Sequence, residues 1–197
     1  MSHFSAAVQA WYGGSLYSFN GKAGIRSMVH LITGGSGSGK SAYAEEQVLT
    51  AGAGRRIYIA TMIPYGEEGR QRVERHRKLR REKQFETIEC YTDLSQLSLD
   101  PDSIVLLECM SNLVANEMYE KEGAGSDTVE AVCRGVLRLA GQVRHLFLVT
   151  NEVCSDGMTY DPDTLRYIDY LGQVNQKLAA MADYVTEVVY GIPVRVK

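Results

Sequence analysis

This 197-residue chain contains few of the features that mark membrane, disulfide-bonded or metal-cluster proteins. It has only four prolines and four cysteines, and no apolar run approaches the roughly 20 residues that a helix needs to cross a bilayer. The cysteines, at positions 90, 109, 133 and 154, show no C-x-x-C spacing, so the sequence predicts neither a zinc site nor a redox pair. Free thiols favour a cytoplasmic protein.

The chain has a small net charge, but its basic residues are concentrated in one segment. The net charge is −3, yet residues 67–83 hold eight Lys/Arg and four Asp/Glu, leaving 13 basic and 20 acidic residues elsewhere. Such a run is typical of a solvated helix face or of a nucleic-acid surface. It lacks the interleaved aromatic side chains that stack on single-stranded bases, and we therefore expect no nucleic-acid partner.

The first 27 residues differ from the rest of the chain. They are rich in Gly, Ser and aromatic residues, show no sustained hydrophobic period, and lack the layout of a signal peptide. We interpret residues 1–27 as a disordered extension. Residues 28–197 have the length of one catalytic domain with a full core.

A phosphate-binding loop organises this domain. The apolar run 29–33 predicts a buried strand, the next eight residues fit G-x-x-x-x-G-K-S, and a helical composition follows from residue 42. The predicted triphosphate ligands are Gly34, Gly35, Ser36, Gly37, Ser38, Gly39, Lys40 and Ser41. Lys40 is expected to reach the β- and γ-phosphates, and the Ser41 hydroxyl to bind Mg²⁺. A flexible Gly/Ser linker is the alternative, but a linker needs neither the Lys-Ser pair nor the flanking strand and helix.

The remaining pattern alternates strands with helices. Strands are predicted over 56–61, 85–89, 103–108 and 145–150, and helices over 66–84, 110–122, 127–143 and 161–182, with Ser126 and Asp161 as N-caps. Residues 185–196 predict a closing hairpin. These elements indicate a three-layer α/β P-loop NTPase fold of the RecA-like type, with a largely parallel sheet and a C-terminal antiparallel hairpin.

Two side chains outside the loop are candidates for chemistry. Glu108 ends a run of four branched apolar residues, and a carboxylate at that strand end could hold Mg²⁺ opposite Ser41. The alternative is a strand-end cap on the next helix. His76 would share a helix face with Arg72 and Arg80, whose charges would lower its pKa and keep the imidazole neutral. Its alternatives are a solvated charged face or a nucleic-acid patch.

Several motifs in one order resemble the bifunctional adenosylcobinamide kinase/adenosylcobinamide-phosphate guanylyltransferase family of cobalamin biosynthesis. The resemblance extends from residue 28 to the C-terminus. The motifs are the glycine loop of residues 33–45, Tyr58-Ile-Ala-Thr61, Arg72-Val-Glu-Arg-His-Arg77, Leu106-Leu-Glu-Cys-Met110, Leu148-Val-Thr-Asn-Glu-Val153 and the segment 171–183.

The resemblance implies two reactions on a corrinoid substrate. A nucleoside triphosphate such as ATP or GTP phosphorylates adenosylcobinamide, and GTP then donates GMP to the phosphate, with Mg²⁺ as cofactor. In the family a histidine carries the GMP, and His76 occupies that position. Further nucleotide-binding positions match Thr61, Met62, Ile63, Arg77, Lys78, Leu79, Arg80, Glu89 and Glu108. The resemblance also suggests a homo-oligomer, a trimer being one form.

Some residues depart from the family pattern, and other functions stay open. Gly37 stands where many relatives have Arg, Ile168 replaces Arg in a Tyr-Arg-Asp triplet, and residues 154–162 differ from the usual glycine-rich loop. These departures concern the kinase reaction or corrinoid binding. The alternatives are a monofunctional guanylyltransferase, a small-molecule P-loop kinase that gives His76 no role, and a nucleotide-gated regulatory or RNA-binding module.

Overall fold

The computed structural model describes residues 27–67, 69–71, 74, 78, 82–153 and 160–197. Four predicted site residues, His76, Arg77, Leu79 and Arg80, lie outside the described residues. So do residues 1–26 of the predicted extension and most of the segment 154–162.

Seven strands and four long helices form the described domain. The strands are β1 (Met28–Thr33), β2 (Arg56–Ala60), β3 (Glu86–Glu89), β4 (Ile104–Glu108), β5 (His145–Val149), β6 (Tyr184–Val189) and β7 (Ile192–Arg195). The helices are α1 (Lys40–Thr50), α2 (Met110–Tyr119), α3 (Thr128–Ala140) and α4 (Pro162–Met181), with short 3₁₀ turns at Leu94–Gln96 and Gly125–Asp127. Between β2 and β3 lies the charged segment, residues 66–84, in which residues 66, 67, 69–71, 74, 78 and 82 are helical.

The strands form a single sheet in the order β3-β2-β4-β5-β1-β6-β7. All neighbours are parallel except β6 and β7, which pair as an antiparallel hairpin. The predicted three-layer α/β P-loop fold with a largely parallel sheet is therefore confirmed, as is its C-terminal hairpin. One strand, β5, separates the strand before the glycine loop from the strand that ends at Glu108.

The sheet divides the core into two apolar layers. The layer around α1 contains Ala44, Val48, Tyr58 and Phe85. The opposite and larger layer packs α2, α3 and α4 against Val29, Ile57 and Leu107. Because side chains alternate along a strand, each central strand supplies residues to both layers, and this explains why β4 and β5 are continuously apolar.

The two predicted N-caps have different outcomes. The Asp161 carboxylate accepts hydrogen bonds from the backbone N–H groups of Asp163 and Thr164 at 2.9 and 3.1 Å, so this cap is confirmed. The prediction for Ser126 is wrong, because Asp127 occupies the cap position of α3 and Ser126 lies within the preceding 3₁₀ turn. That turn is closed by the Thr128 hydroxyl, which donates to the Gly125 carbonyl at 2.7 Å.

No helix in the described part of the chain is both long enough and apolar enough to cross a membrane.

Candidate active site

The glycine loop joins β1 to α1 at the carboxyl edge of the sheet, where ligands of open parallel sheets bind. Gly34 is enclosed: a Cβ there would lie 2.6 Å from the Val188 carbonyl oxygen, and its φ is +154°. Gly39 has a φ of +91° and stands at the N-cap position of α1. No side chain caps α1 within the described chain, so the first N–H groups of the helix face outward, as an anion site requires.

Lys40 begins the helix and is buried, with 8% of its surface exposed. Its ammonium donates to the Gly35 carbonyl at 3.0 Å, which folds the side chain back under the loop. Burial lowers the pKa of Lys40, and the nearby Glu108 carboxylate opposes this effect. A cation in this position lies beside any phosphate that the loop holds.

Ser41 and Glu108 meet at the base of the loop. The Ser41 hydroxyl donates to Glu108 Oε1 at 2.5 Å. The second carboxylate oxygen, Oε2, accepts a hydrogen bond from the Tyr58 hydroxyl at 2.7 Å. Glu108 is therefore held by two hydroxyl groups that come from different elements, α1 and β2.

Oxygen ligands at this point match the preferences of magnesium. Mg²⁺ in triphosphate sites is held by one or two side-chain oxygens together with phosphates and water, rather than by a complete set of protein ligands. The described residues contain no group of three or more His, Cys, Asp or Glu side chains that could hold a metal ion by themselves. The Ser41–Glu108 pair thus fits a cation that a bound triphosphate helps to hold.

Thr61 follows β2 and connects it to β4. Its backbone N–H donates to the Glu108 carbonyl at 3.2 Å, and its buried hydroxyl lies within 2.9 Å of both the N and the O of Cys109. Burial raises the pKa of the Cys109 thiol, which keeps it protonated. The ends of β2 and β4 are consequently fixed to each other beside Ser41.

Met62 and Ile63 line a cavity of about 520 Å³ between the end of β2 and α2. Asn112, Asn116 and Glu120 contribute polar groups to its wall. The Asn116 amide donates to the carbonyls of Thr61 and Tyr91 at 2.8 and 3.0 Å, so it supports the wall rather than facing a ligand.

Glu89 and Lys78 are two further predicted nucleotide ligands among the described residues. Glu89 lies at the end of the edge strand β3, where it accepts a hydrogen bond from the Tyr91 hydroxyl at 2.9 Å. Lys78 is exposed.

The charged segment is attached to the α1 layer near its carboxyl end. Lys83 forms an ion pair with Glu45 of α1. Phe85, which directly follows the segment, packs edge-on against Tyr58 with the ring centroids 5.9 Å apart. Both contacts lie on the face of the sheet that carries α1.

Tyr58, Asn112 and Asn116 were not predicted as site residues. Tyr58 lies between two isoleucines in a buried strand, a position typical of a core aromatic. Its contact with Glu108 depends on the pairing of β2 with β4, which no local pattern indicates. The only indication in the sequence was the tyrosine hydroxyl itself, because a hydroxyl in a buried strand needs a hydrogen-bond partner.

Comparison with known proteins identifies similar sequences over most of the chain. A family model described as cobinamide kinase / cobinamide phosphate guanyltransferase matches residues 30–196. The Escherichia coli (strain K12) bifunctional adenosylcobalamin biosynthesis protein CobU is 34% identical over 187 residues, which cover 86% of this chain and 100% of the relative. Its Salmonella typhimurium counterpart is 35% identical over 190 residues, with the same coverage. The Pseudomonas aeruginosa protein CobP is 31% identical over 176 residues, covering 86% and 98%.

Similarity to solved structures is weaker. The flagellar accessory protein FlaH from Methanocaldococcus jannaschii has a TM-score of 0.46 at 10% identity, covering 91% of this chain and 81% of that one. A KaiC-like protein from the hyperthermophilic archaeon Pyrococcus horikoshii has a TM-score of 0.43 at 11% identity, covering 81% and 70%.

Proposed function

Because this chain belongs to the cobinamide kinase / cobinamide phosphate guanyltransferase family, we propose that one triphosphate site, built on the glycine loop, Ser41 and Glu108, serves both family reactions. The chain is a bifunctional transferase of cobalamin biosynthesis. It phosphorylates adenosylcobinamide and transfers GMP from GTP to adenosylcobinamide phosphate. The observation that carries the proposal is the 2.5 Å contact between Ser41 and Glu108 directly under the loop.

Ser41 and Glu108 would hold the Mg²⁺ that accompanies the triphosphate. When bound, the ion neutralises charge on the β- and γ-phosphates. Because the Ser41 proton is directed at Glu108 Oε1, the lone pairs of the serine oxygen are free to face a cation. We expect no histidine or cysteine among the ligands of this ion.

In the kinase reaction, the aminopropanol hydroxyl of adenosylcobinamide attacks the γ-phosphorus. A new oxygen–phosphorus bond forms, the bond to the β-phosphate oxygen breaks, and the hydroxyl proton leaves to solvent or base. Lys40 and the loop N–H groups stabilise the charge on the departing diphosphate. This chemistry requires positioning and electrostatic stabilisation rather than a protein nucleophile.

In the guanylyl reaction, His76 is the proposed nucleophile. The lone-pair nitrogen of its neutral imidazole attacks the α-phosphorus of GTP, pyrophosphate leaves, and the ring gives up its single N–H proton, which it regains when it is later displaced. A phosphate oxygen of adenosylcobinamide phosphate then attacks the same phosphorus and displaces the imidazole, giving adenosylcobinamide-GDP. Arg77, Lys78, Leu79 and Arg80 are proposed to contact the nucleotide during these steps, with the cations favouring neutral His76.

Two contacts made by described residues support the proposal that the charged segment lies near the glycine loop. The Lys83–Glu45 ion pair and the packing of Phe85 on Tyr58 attach its end to the α1 layer. Helical crossovers between parallel neighbouring strands pack against one face of the sheet. These two contacts bring the carboxyl end of the segment to the face that carries α1, which is where the proposed transfer from a loop-bound triphosphate to His76 would take place.

The cavity beside Met62 and Ile63 is the proposed site for the guanosine end of GTP. On its Watson–Crick edge, guanine offers two donor groups, N1–H and the 2-amino group, and one acceptor, O6. Asn112 offers a complementary amide on the cavity wall, and Glu120, whose Oε1 accepts a hydrogen bond from the Tyr65 hydroxyl, offers its second carboxylate oxygen. Thr61 and Glu89, at the ends of β2 and β3, would border the same nucleotide.

Labelling of the protein tests the proposal. GTP labelled at the α-phosphate should transfer label to the protein, whereas label at the γ-phosphate should not remain. The adduct should be lost in acid and survive mild alkali, because a protonated phosphoramidate nitrogen is a good leaving group. Addition of adenosylcobinamide phosphate should discharge it.

Matched variants assign the label to a residue. His76→Asn should form no adduct but still bind GTP, whereas Lys40→Ala should lose binding as well. His3→Asn makes the same substitution in the predicted extension and should label as the unaltered protein does. Acid-labile label on His76→Asn, or guanylyl transfer with no detectable adduct, would show that the histidine mechanism is incorrect.

The same experiment separates the alternatives. A monofunctional kinase would phosphorylate adenosylcobinamide and never acquire the α-label, and a monofunctional guanylyltransferase would act on adenosylcobinamide phosphate alone. An RNA-binding module would show salt-sensitive RNA binding without turnover. We expect the enzyme to act in the cytoplasm as a homo-oligomer.

A further inference from the structure

We propose that Tyr58 is a positioning residue that orients Glu108 for the cation of the triphosphate site. This inference rests on the proposed role of the Ser41–Glu108 pair and extends it to a third side chain. Tyr58 lies in β2, which is separated from β1 by two strands and lies outside the glycine loop.

The pairing of β2 with β4 brings the two side chains together. In the parallel register Tyr58 lies opposite Leu106 and Ala60 opposite Glu108. Side chains two residues apart on a strand share a face, so Tyr58 and Glu108 are diagonal neighbours on the α1 side of the sheet. A tyrosine is long enough to span this diagonal, and its hydroxyl reaches Glu108 Oε2 at 2.7 Å.

The Tyr58 ring is well fixed. Only 6% of its surface is exposed, and Phe85 packs against it edge-on with an interplanar angle of 87°. A ring that is already held by its neighbours keeps the hydroxyl in place without further cost in conformational entropy at the moment of binding. The hydrogen bond therefore fixes the plane of the carboxylate as well as its position.

Fixing Oε2 leaves Oε1 for Ser41. With one oxygen occupied by Tyr58, the carboxylate cannot rotate to hold a cation through both oxygens. Oε1 instead accepts the Ser41 proton at 2.5 Å, and that proton is thereby directed away from the cation position. Tyr58 thus orients Glu108, and Glu108 orients the Ser41 hydroxyl, so that the carboxylate and the serine oxygen are both set for the cation.

Tyr58→Phe isolates this function, because it removes only the hydroxyl and preserves the ring contact with Phe85. The probe is guanosine 5′-(α,β-methylene)triphosphate, which cannot transfer GMP, and its binding is measured by calorimetry over a Mg²⁺ titration. We expect the Mg²⁺ concentration at half-maximal binding to rise about tenfold, as expected for loss of one hydrogen bond to a charged group. Binding without Mg²⁺ should be the same in both proteins, whereas a purely structural role would weaken it.

Two further variants make the test specific. Tyr170→Phe removes a phenol hydroxyl that lies 3.5 Å from the Ser126 carbonyl, on the opposite side of the sheet, and should leave the Mg²⁺ titration unchanged. In a Glu108→Gln background, Tyr58→Phe should change the Mg²⁺ midpoint by less than about twofold, because the residue acts through Glu108. A full-sized effect in that background, or no effect in the unaltered protein, would overturn the inference. If the unaltered protein itself shows no Mg²⁺-dependent binding, the proposed metal site fails instead.

Discussion

The turn of the C-terminal hairpin contacts the glycine loop: the Gly191 N–H donates to the Ser38 carbonyl at 2.8 Å. Next to this hydrogen bond, a Cβ at Gly39 would lie 3.3 Å from Gly191 Cα. Loop and hairpin are therefore in backbone contact, and the shape of the phosphate site depends on residues about 150 positions apart in the sequence.

The first prediction compares alanine at these two glycines. Gly39 and Gly191 both have positive φ, +91° and +79°, so alanine at either costs about 1 kcal/mol of folding free energy. Only at Gly39 would the new methyl group also push the loop away from the hairpin. We expect Gly39→Ala to weaken binding of the GTP analogue at least tenfold, and Gly191→Ala, which has open space at its Cβ, to lower the melting temperature with a smaller loss of binding. Equal binding losses would refute this explanation.

The contacts between neighbouring sequence positions were predictable, and those between distant strands were not. The glycine loop, the strand ending at Glu108 and the Asp161 cap all have local signatures, because a turn, a strand end or a cap needs particular residue types at fixed spacing. The pairing of Tyr58 with Glu108 and of Gly191 with Ser38 depends on strand order. A strand's hydrophobic pattern fixes which side chains are buried and gives no information about its neighbour.

Two differences from the sequence predictions have local causes. Ser126 has the composition of an N-cap, but the Thr128 hydroxyl closes a 3₁₀ turn with Gly125 and moves the start of α3 to residue 128. The cavity wall on α2 was missed because Asn112 and Asn116 occur in a largely apolar helix, where an asparagine is usually a structural residue. For Asn116 that interpretation is correct, since its amide bonds two backbone carbonyls.

The second prediction concerns the segment before β1. The family match begins at residue 30, and the Met28 N–H already donates to the Arg144 carbonyl at 3.1 Å. A chain that starts at Met28 keeps this donor as an ammonium group. We expect removal of residues 1–27 to leave both activities and the melting temperature unchanged. Lower turnover or a lower melting temperature in the shortened chain would contradict the proposed domain boundary.

The third prediction concerns stability at mildly acidic pH. His30, in β1, is buried between β5 and β6, and its Nε2 lies 2.8 Å from the Thr186 hydroxyl. Desolvation, with a smaller effect from Arg195, lowers its pKa from 6.5 to about 4. Between pH 6.5 and 4, His30 therefore binds a proton in the unfolded state but not in the folded state. The free energy of unfolding is highest above pH 6.5, and it decreases as the pH falls toward 4.

Urea unfolding at about pH 7 and about pH 5 measures this effect. We expect the unfolding free energy to fall by about 1–2 kcal/mol more in the unaltered protein than in His30→Gln, which has no group that titrates in this range. His145, whose pKa is also lowered by burial, remains in both proteins and cancels in the comparison. Identical pH dependence in the two proteins would show that His30 is not responsible.

The fourth prediction tests the guanosine site. Asn112 lines the same cavity as Glu120, Met62 and Ile63. If its amide pairs with the guanine edge, Asn112→Ala should raise the GTP concentration that gives half-maximal α-label on the protein about fivefold, since one hydrogen bond contributes roughly 1 kcal/mol. The maximal extent of labelling should not change, because neither the glycine loop nor His76 is altered.

Inosine triphosphate distinguishes base recognition from a general change in the cavity. It lacks the 2-amino group that guanine offers to a carboxylate, so we expect Glu120→Gln to reduce the preference for GTP over inosine triphosphate while Asn112→Ala weakens both. Gln176→Ala, on the exposed side of α4, is the matched control and should label normally. If Asn112→Ala lowers only the rate at which adenosylcobinamide phosphate discharges the adduct, the cavity holds the acceptor rather than the base. The guanosine site would then lie elsewhere on the carboxyl edge of the sheet, and the proposed role of the glycine loop in phosphate binding would be unaffected.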